Sequence, residues 1–167
     1  MLEILSPAGS PEGVIAAVQS GADAVYMGFG AYNARQRAKN FTDEEFADAV
    51  RYCRVRGCKV YVTLNTLTAD RELRKASELA VHAADVGADA ILVQDLGLAR
   101  VLRSLLPDMP LHASTQMSVH DLDGVLAAAE LGMRRVVLAR ELNMKQIEYI
   151  CARSPVEIEV FVHGALC

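Results

Sequence analysis

Gly21-Ala22-Asp23-Ala24-Val25-Tyr26-Met27-Gly28 recurs as Gly87-Ala88-Asp89-Ala90-Ile91-Leu92-Val93-Gln94. A looser copy is Gly132-Met133-Arg134-Arg135-Val136-Val137-Leu138-Ala139. Each copy follows a run with helical apolar spacing and opens a short β-rich run. A glycine at that junction suits the left-handed position that ends a helix. The repeat therefore marks helix-to-strand joints, used several times over.

Working outward, strands are expected near 2–5, 23–27, 59–64, 89–93, 110–113, 135–139 and 157–162. Helices are expected near 11–20, 43–56, 70–86, 97–105, 121–131 and 143–152. Their starts are well signalled. Ser10-Pro11-Glu12 offers an N-cap with proline in the first helical position. Thr42 with Glu45, and Asn143 with Gln146, have capping-box spacing, and Asp121 is a further cap. Strict alternation of strand and helix implies parallel strands joined by right-handed crossovers. An open doubly wound sheet and a closed barrel both satisfy this. The first strand runs into Ser6-Pro7-Ala8-Gly9-Ser10-Pro11, which is not a dinucleotide-binding G-x-G-x-x-G turn. We therefore expect an α/β fold of the TIM type: a (β/α)8 barrel, incomplete, with about seven parallel strands and six helices. Residues 1–167 form one such domain, which reads as a barrel short of its last helix, strand and helix.

Composition bounds the function. The 167 residues are 52% hydrophobic and 23% charged, with mean hydropathy +0.19, as for a chain with strands buried on both faces. No membrane-length apolar run and no signal peptide stand out, so no membrane partner and a cytoplasmic setting are expected. Net charge is −4 and the pI about 5.6, so any contact with RNA needs a local basic patch. Cys53, Cys58 and Cys151 read as buried free thiols inside or beside regular elements. Cys167 differs, because it follows a strand end.

The chemistry of parallel α/β folds sits at the C-terminal ends of strands, and here those ends are polar. Ser6 ends the first. Gly28, Gly30, Asn33 and Arg35 follow the second, and Thr63-Leu64-Asn65-Thr66 closes the third. Gln94-Asp95, His112-Ala113-Ser114-Thr115-Gln116, Arg140-Glu141 and His163 with Cys167 follow in order. Side-chain alternation puts Tyr61, Thr63 and Asn65 on one face, His112, Ser114 and Gln116 on another, and Glu157, Glu159, Phe161 and His163 on a third. With the aliphatic faces against helices, these polar faces point into the barrel, bringing Asn65, Gln116 and His163 towards one another. The candidate catalytic residues are His163, Glu159, His112 and Glu141. The candidate substrate-binding residues are Asn33, Arg35, Asn65, Gln116 and Arg140. A carboxylate aimed into a barrel, as Glu159 is, is costly unless paired. Plainer roles compete: Asp95, Asn65 and Thr68 as helix caps, Arg140 with Glu141 as a local ion pair, His112 and His163 as interior histidines. His82 and His120 read as ordinary helix or loop residues. No H-E-x-x-H zinc motif, G-x-S-x-G elbow or P-loop is present.

Leu5-Ser6-Pro7-Ala8-Gly9, Gly21-Ala22-Asp23-Ala24-Val25-Tyr26, His112-Ala113-Ser114-Thr115-Gln116, Leu138-Ala139-Arg140-Glu141-Leu142 and Glu159-Val160-Phe161-Val162-His163-Gly164-Ala165-Leu166-Cys167 together resemble the collagenase-like peptidase family, peptidase family U32. The resemblance runs the length of the chain in order. It implies two kinds of activity, since members are described either as peptidases or as enzymes of oxygen-independent hydroxylation of RNA bases or of small aromatic precursors. The hydroxylating members are linked to an iron–sulfur cluster, and some of those acting on RNA to prephenate. By the resemblance, Cys167 matches the first cluster cysteine and is the metal-ligand candidate. Cys53, Cys58 and Cys151 match no other ligand position. One thiolate does not hold a cluster that needs about four, so a cluster belongs to a longer protein and none is expected on these residues alone. Arg35 and Arg140 would face a prephenate-like dicarboxylate. A true peptidase of unassigned mechanism, and an inactive barrel portion or binding module, stand as alternatives. Open edges at the first and last strands also imply a homodimer or another strand partner.

Overall fold

The computed structural model describes residues 2–34 and 41–164. Seven strands form one sheet in the order β1-β2-β3-β4-β5-β6-β7, every neighbouring pair parallel. They are β1 Leu5–Pro7, β2 Ala24–Gly28, β3 Lys59–Leu64, β4 Ala90–Val93, β5 Leu111–Ala113, β6 Arg135–Val137 and β7 Glu157–Glu159. Between them run α1 Pro11–Gln19, α2 Asp43–Arg54, α3 Asp70–Val86, α4 Leu96–Leu105, α5 Leu122–Glu130 and α6 Met144–Cys151. A 3-10 turn spans Thr115–Met117. Among the described residues no helix is long and apolar enough to cross a membrane.

The helices begin where the sequence signals them. Thr42 accepts from the Glu45 amide at 3.2 Å while the Glu45 carboxylate accepts from the Thr42 amide at 3.0 Å, a full capping box on α2. The helix then buries Phe46, Ala49, Val50 and Cys53, spaced to lie along one stripe. Phe46 stacks on Phe29 with ring centroids 4.3 Å apart, tying α2 to the segment after β2. Burying a phenylalanine of this kind contributes about 1.5–3 kcal/mol. The repeated glycine does the work expected of it at the helix ends. Gly87 closes α3 at φ 114, and its counterparts Gly21 and Gly132 stand at φ 90 and φ 83.

One distance distinguishes a curled sheet from an open one. Arg135 on β6 donates to Glu3, just before β1, at 2.6 Å. In a flat sheet, five strand spacings would hold those elements about 24 Å apart. The sheet therefore rolls up so that its first and sixth strands face each other across a lumen. Two apolar layers result. Val25, Met27, Val60, Val62, Ile91, Leu111 and Val136 pack outward against the helices. Ala24, Tyr61, Ala90, Leu92 and Val137 pack inward, with Leu5 and Tyr26 beside them. Inward residues alternate with outward ones along each strand, as barrel interiors require.

Two strand boundaries differ from the sequence expectation. β1 lies later, at Leu5–Pro7, because its partner β2 offers a ladder only from Ala24 onward. β7 stops at Glu159. Its partner β6 ends at Val137, and the Leu138 amide, donating to Glu159 at 2.9 Å, is the last rung. Phe161 and His163 therefore do not continue the strand. Leu2, Ile4 and Val162, beside the two sheet edges, are 93%, 62% and 94% exposed.

Candidate functional site

The lumen holds two polar groups of different character. The first lies at the N-terminal ends of the strands and is ionic. Arg135, its side chain 10% exposed, is its centre. The guanidinium donates to Glu157 through Nε at 2.9 Å and Nη2 at 2.7 Å, and through Nη1 to Glu3 at 2.6 Å and Glu159 at 3.3 Å. Glu3 also accepts from Lys59 at 2.7 Å and from the Tyr61 hydroxyl at 2.7 Å. Burial pushes the Glu3 carboxyl up, but its bonds to Arg135, Lys59 and Tyr61 outweigh that and hold it at about 2. The bond from Arg135 likewise holds Glu157 below the usual carboxylate range. Glu159 goes the other way: burial raises it, and Arg135 offsets only part of that.

His112 sits in the same layer. It is 3% exposed, meets the Tyr61 ring edge-on at 4.9 Å, and its Nδ1 is buried with no hydrogen-bond partner among the described residues. Burial, and then the positive charge of Arg135, lower its pKa to about 4, so the ring is neutral at physiological pH. Glu159 and His112 thus sit among groups that fill and close the base of the barrel, the end where such folds place stability rather than chemistry. Arg135 and Glu3 did not stand out in the sequence. A clue existed for Arg135: it shares a face with Val137, opposite Val136, and enters a lumen that already receives Glu157 and Glu159.

The second group lies at the C-terminal ends of the strands and is neutral. Asn65, buried just beyond β3, accepts from the Ala34 amide at 3.0 Å. Its Nδ2 donates to Ser114 Oγ at 3.2 Å and to Gln116 Oε1 at 3.0 Å. The Ser114 hydroxyl donates to the same Gln116 oxygen. Residues following β2, β3 and β5 are thereby joined in one network. Asn33, fully buried, donates to the Gly30 carbonyl at 3.1 Å and lies over Gly28, where a Cβ would stand 2.8 Å from Asn33 Oδ1. Thr63 Oγ1 donates to the Met27 carbonyl at 3.2 Å and binds β3 to β2 below this rim. Asp95 caps α4 by accepting from the Leu98 amide at 2.8 Å and braces the β3–α3 loop by accepting from the Thr68 amide at 3.2 Å.

The predicted residues therefore divide. Asn65 and Gln116 are brought together, with Asn33 near the same rim on the segment that follows β2. Arg140, beyond β6, donates to the Gly164 carbonyl at 3.3 Å and lies 5.4 Å from the centre of the Phe161 ring, so it is held against the segment after β7. Glu141 and His163 are exposed. Arg35 and Cys167 lie outside the described residues. Sequence reading missed the Ala34 amide and the bonding role of Ser114; the shared face of His112, Ser114 and Gln116 was the available signal for the latter. Two surface hollows, one between α3 and α4 and one beside the loop from α4 to β5, lie away from this rim.

Among the described residues no cluster of three metal-ligating side chains forms. The described cysteines do not fit an iron–sulfur cluster. Cys53 and Cys58 are buried on the helix side of the sheet, and burial, reinforced by Cys58, pushes the Cys53 thiol up to about 12. Two thiols in the apolar core, with no further ligand beside them among the described residues, fall short of the about four that a cluster needs. Cys151 is exposed on α6, on the outer side of the fold.

The family model described as peptidase family U32 matches residues 9–167. The chain is 40% identical over 166 residues to the 23S rRNA 5-hydroxycytidine C2501 synthase of Escherichia coli (strain K12), covering 99% of this chain and 25% of that protein. It is 36% identical over 165 residues to tRNA hydroxylation protein P1 of Bacillus subtilis (strain 168), covering 99% and 39%. The chain thus spans between a quarter and two fifths of the length of these relatives. Among solved structures, the U32 peptidase Mk0906 superposes with TM-score 0.78 at 20% identity, over 96% of this chain and 68% of that one, which speaks to the fold alone.

Proposed function

The chain belongs to peptidase family U32, and from that premise we propose that the protein containing it hydroxylates a base in RNA, with the neutral network at the C-terminal mouth of the barrel as its substrate-facing surface. The observation that carries the reading is that network. Asn65, Ser114 and Gln116 are held by mutual bonds at the end of the fold where barrels carry out chemistry. It is built from hydrogen-bonding groups rather than from a nucleophile and a base, which suits reading and orienting a base. The names of the two relatives, each matched along 99% of this chain, support the same substrate class.

The peptidase reading has less to stand on. Among the described residues no histidine is hydrogen-bonded to a serine, threonine or cysteine side chain, the pairing an activated nucleophile requires. An iron–sulfur cluster is likewise not supplied by Cys53, Cys58 or Cys151. Cys167 is the residue the resemblance assigns to it. What these residues do is position: Asn65 and Ser114 orient Gln116, while Asn33 and Asp95 hold the loops around it.

Nucleoside mass spectrometry tests the proposal. RNA from cells with the full-length gene deleted should lose a hydroxylated nucleoside, which returns on complementation. Unchanged RNA, together with peptide cleavage by the purified protein that disappears in Asn65→Ala, would establish the peptidase reading instead.

A further inference from the structure

The side-chain amide of Gln116 has two unlike ends, an oxygen that accepts and a nitrogen that donates two hydrogens. Which end faces outward is set by a chain of bonds that begins at the backbone. The Ala34 N–H only donates, and it points at Asn65 Oδ1 at 3.0 Å. That places Asn65 Nδ2 on the opposite side, 3.0 Å from Gln116. Nδ2 also only donates, so the Gln116 atom facing it is the oxygen. The Ser114 hydroxyl donates to that oxygen too. Two donors occupy Oε1, and Nε2 is turned the other way. Gln116 is exposed at the mouth of the barrel, and its Nε2 has no partner among the described residues.

The turn that presents it is fixed as well. Ser114 opens the 3-10 turn Thr115–Met117, and Ser118 closes it at φ 58, a left-handed conformation adopted without glycine. Such a conformation persists where the surroundings over-determine it. Burying Asn65 and Ser114 to steer one exposed glutamine contributes little to the core, but it gives that amide a single orientation.

Resting on the RNA-base reading above, we propose that Gln116 is a specificity-determining residue that donates through Nε2 to an acceptor on the substrate base, a carbonyl oxygen or an unprotonated ring nitrogen, and selects against an exocyclic amino group there. Asn65 is the positioning residue that sets this polarity, and the Ala34 amide is its origin.

Two near-isosteric substitutions separate the possibilities. In Gln116→Glu the carboxylate still accepts from Asn65 and Ser114, so the network survives, but the outward atom becomes an acceptor. Gln116→Met keeps the length and removes both functions. Full-length variants are compared by hydroxylated nucleoside formed in cellular RNA and by thermal unfolding. The expected order is Gln above Met above Glu, with Glu lower than the wild type by about ten- to a hundredfold at an unchanged unfolding midpoint. Glu equal to or better than Gln overturns the assignment, because the substrate then presents a donor or nothing at that point. If the Met variant fails to fold, the comparison of Gln with Glu still decides. A wild-type protein that leaves RNA unmodified overturns the functional reading and this inference with it.

Discussion

Replacing Arg135 with methionine should be among the most damaging single changes in the barrel, and its damage should depend on pH. The guanidinium is the shared partner of Glu3, Glu157 and Glu159. Methionine matches its stem but leaves three carboxylates facing one another, with the half-exposed Lys59 and the Tyr61 hydroxyl still on Glu3 and the exposed Arg134, 3.9 Å away, beside Glu157. Removing one member of a buried ionic group costs about 3–5 kcal/mol, a large share of the roughly 5–15 kcal/mol that holds a domain folded. The pH dependence follows from Glu3. Its folded pKa, held at about 2 despite burial, lies below its ordinary 4.5. A group depressed in this way contributes stability that is present above the ordinary value and lost as pH falls through the folded one. Without Arg135 that pKa rises, so the variant forfeits the contribution at neutral pH but has less to lose in acid. Urea unfolding followed by circular dichroism at neutral pH and near about pH 3 reads both terms. The gap between wild type and variant should be widest at neutral pH and narrow below 4.5, and Glu159→Gln in the variant background should restore part of the loss. A neutral-pH penalty under about 1 kcal/mol, the range of surface pairs, or a gap that does not change with pH, would refute the view of this layer as a buried ionic closure.

His112, lowered from 6.5 to about 4 by burial and then by Arg135, is neutral in the fold, so stability falls as pH drops from 6.5 towards 4, by about 3 kcal/mol in all; His112→Gln should flatten that part of a midpoint-against-pH curve, and parallel curves would count against the assignment. Gly28→Ala brings a methyl group within 2.8 Å of Asn33 Oδ1 on a fully buried side chain; we expect about 1–3 kcal/mol of lost stability and reduced RNA modification by the full-length protein, against no effect if the Asn33 loop yields freely. Asp95→Ala removes the cap of α4 and the brace on Thr68 together, at about 1–2 kcal/mol in chemical denaturation.

Much of this fold was written locally. The glycine joints, the capping boxes of Thr42 and Asn143 and the alternation along β3 depend on residues a few positions apart, and the structure reproduces them. The pairing of Asn65 with Gln116 was legible for the same reason, since both faces were set by strand periodicity. Three things were not. The length of β7 depends on where β6 stops offering partners, a property of the neighbour rather than of the strand. The left-handed Ser118 carries no glycine or asparagine to announce it. Glu3 reads as a surface carboxylate until the sheet closes, because the cation that claims it is 132 positions away.

That separation has a consequence for how the chain is made. Glu3 leaves the ribosome 132 residues before its partner Arg135, and Glu157, which shares that guanidinium, follows later still. At about 5–20 residues per second, the first strand waits roughly 8–30 seconds before the layer at the base of the barrel can assemble. Local helix–strand units form far faster than that. The bond that holds the first strand opposite the sixth is therefore among the last that synthesis permits, and until then the rolled arrangement lacks its ionic tie.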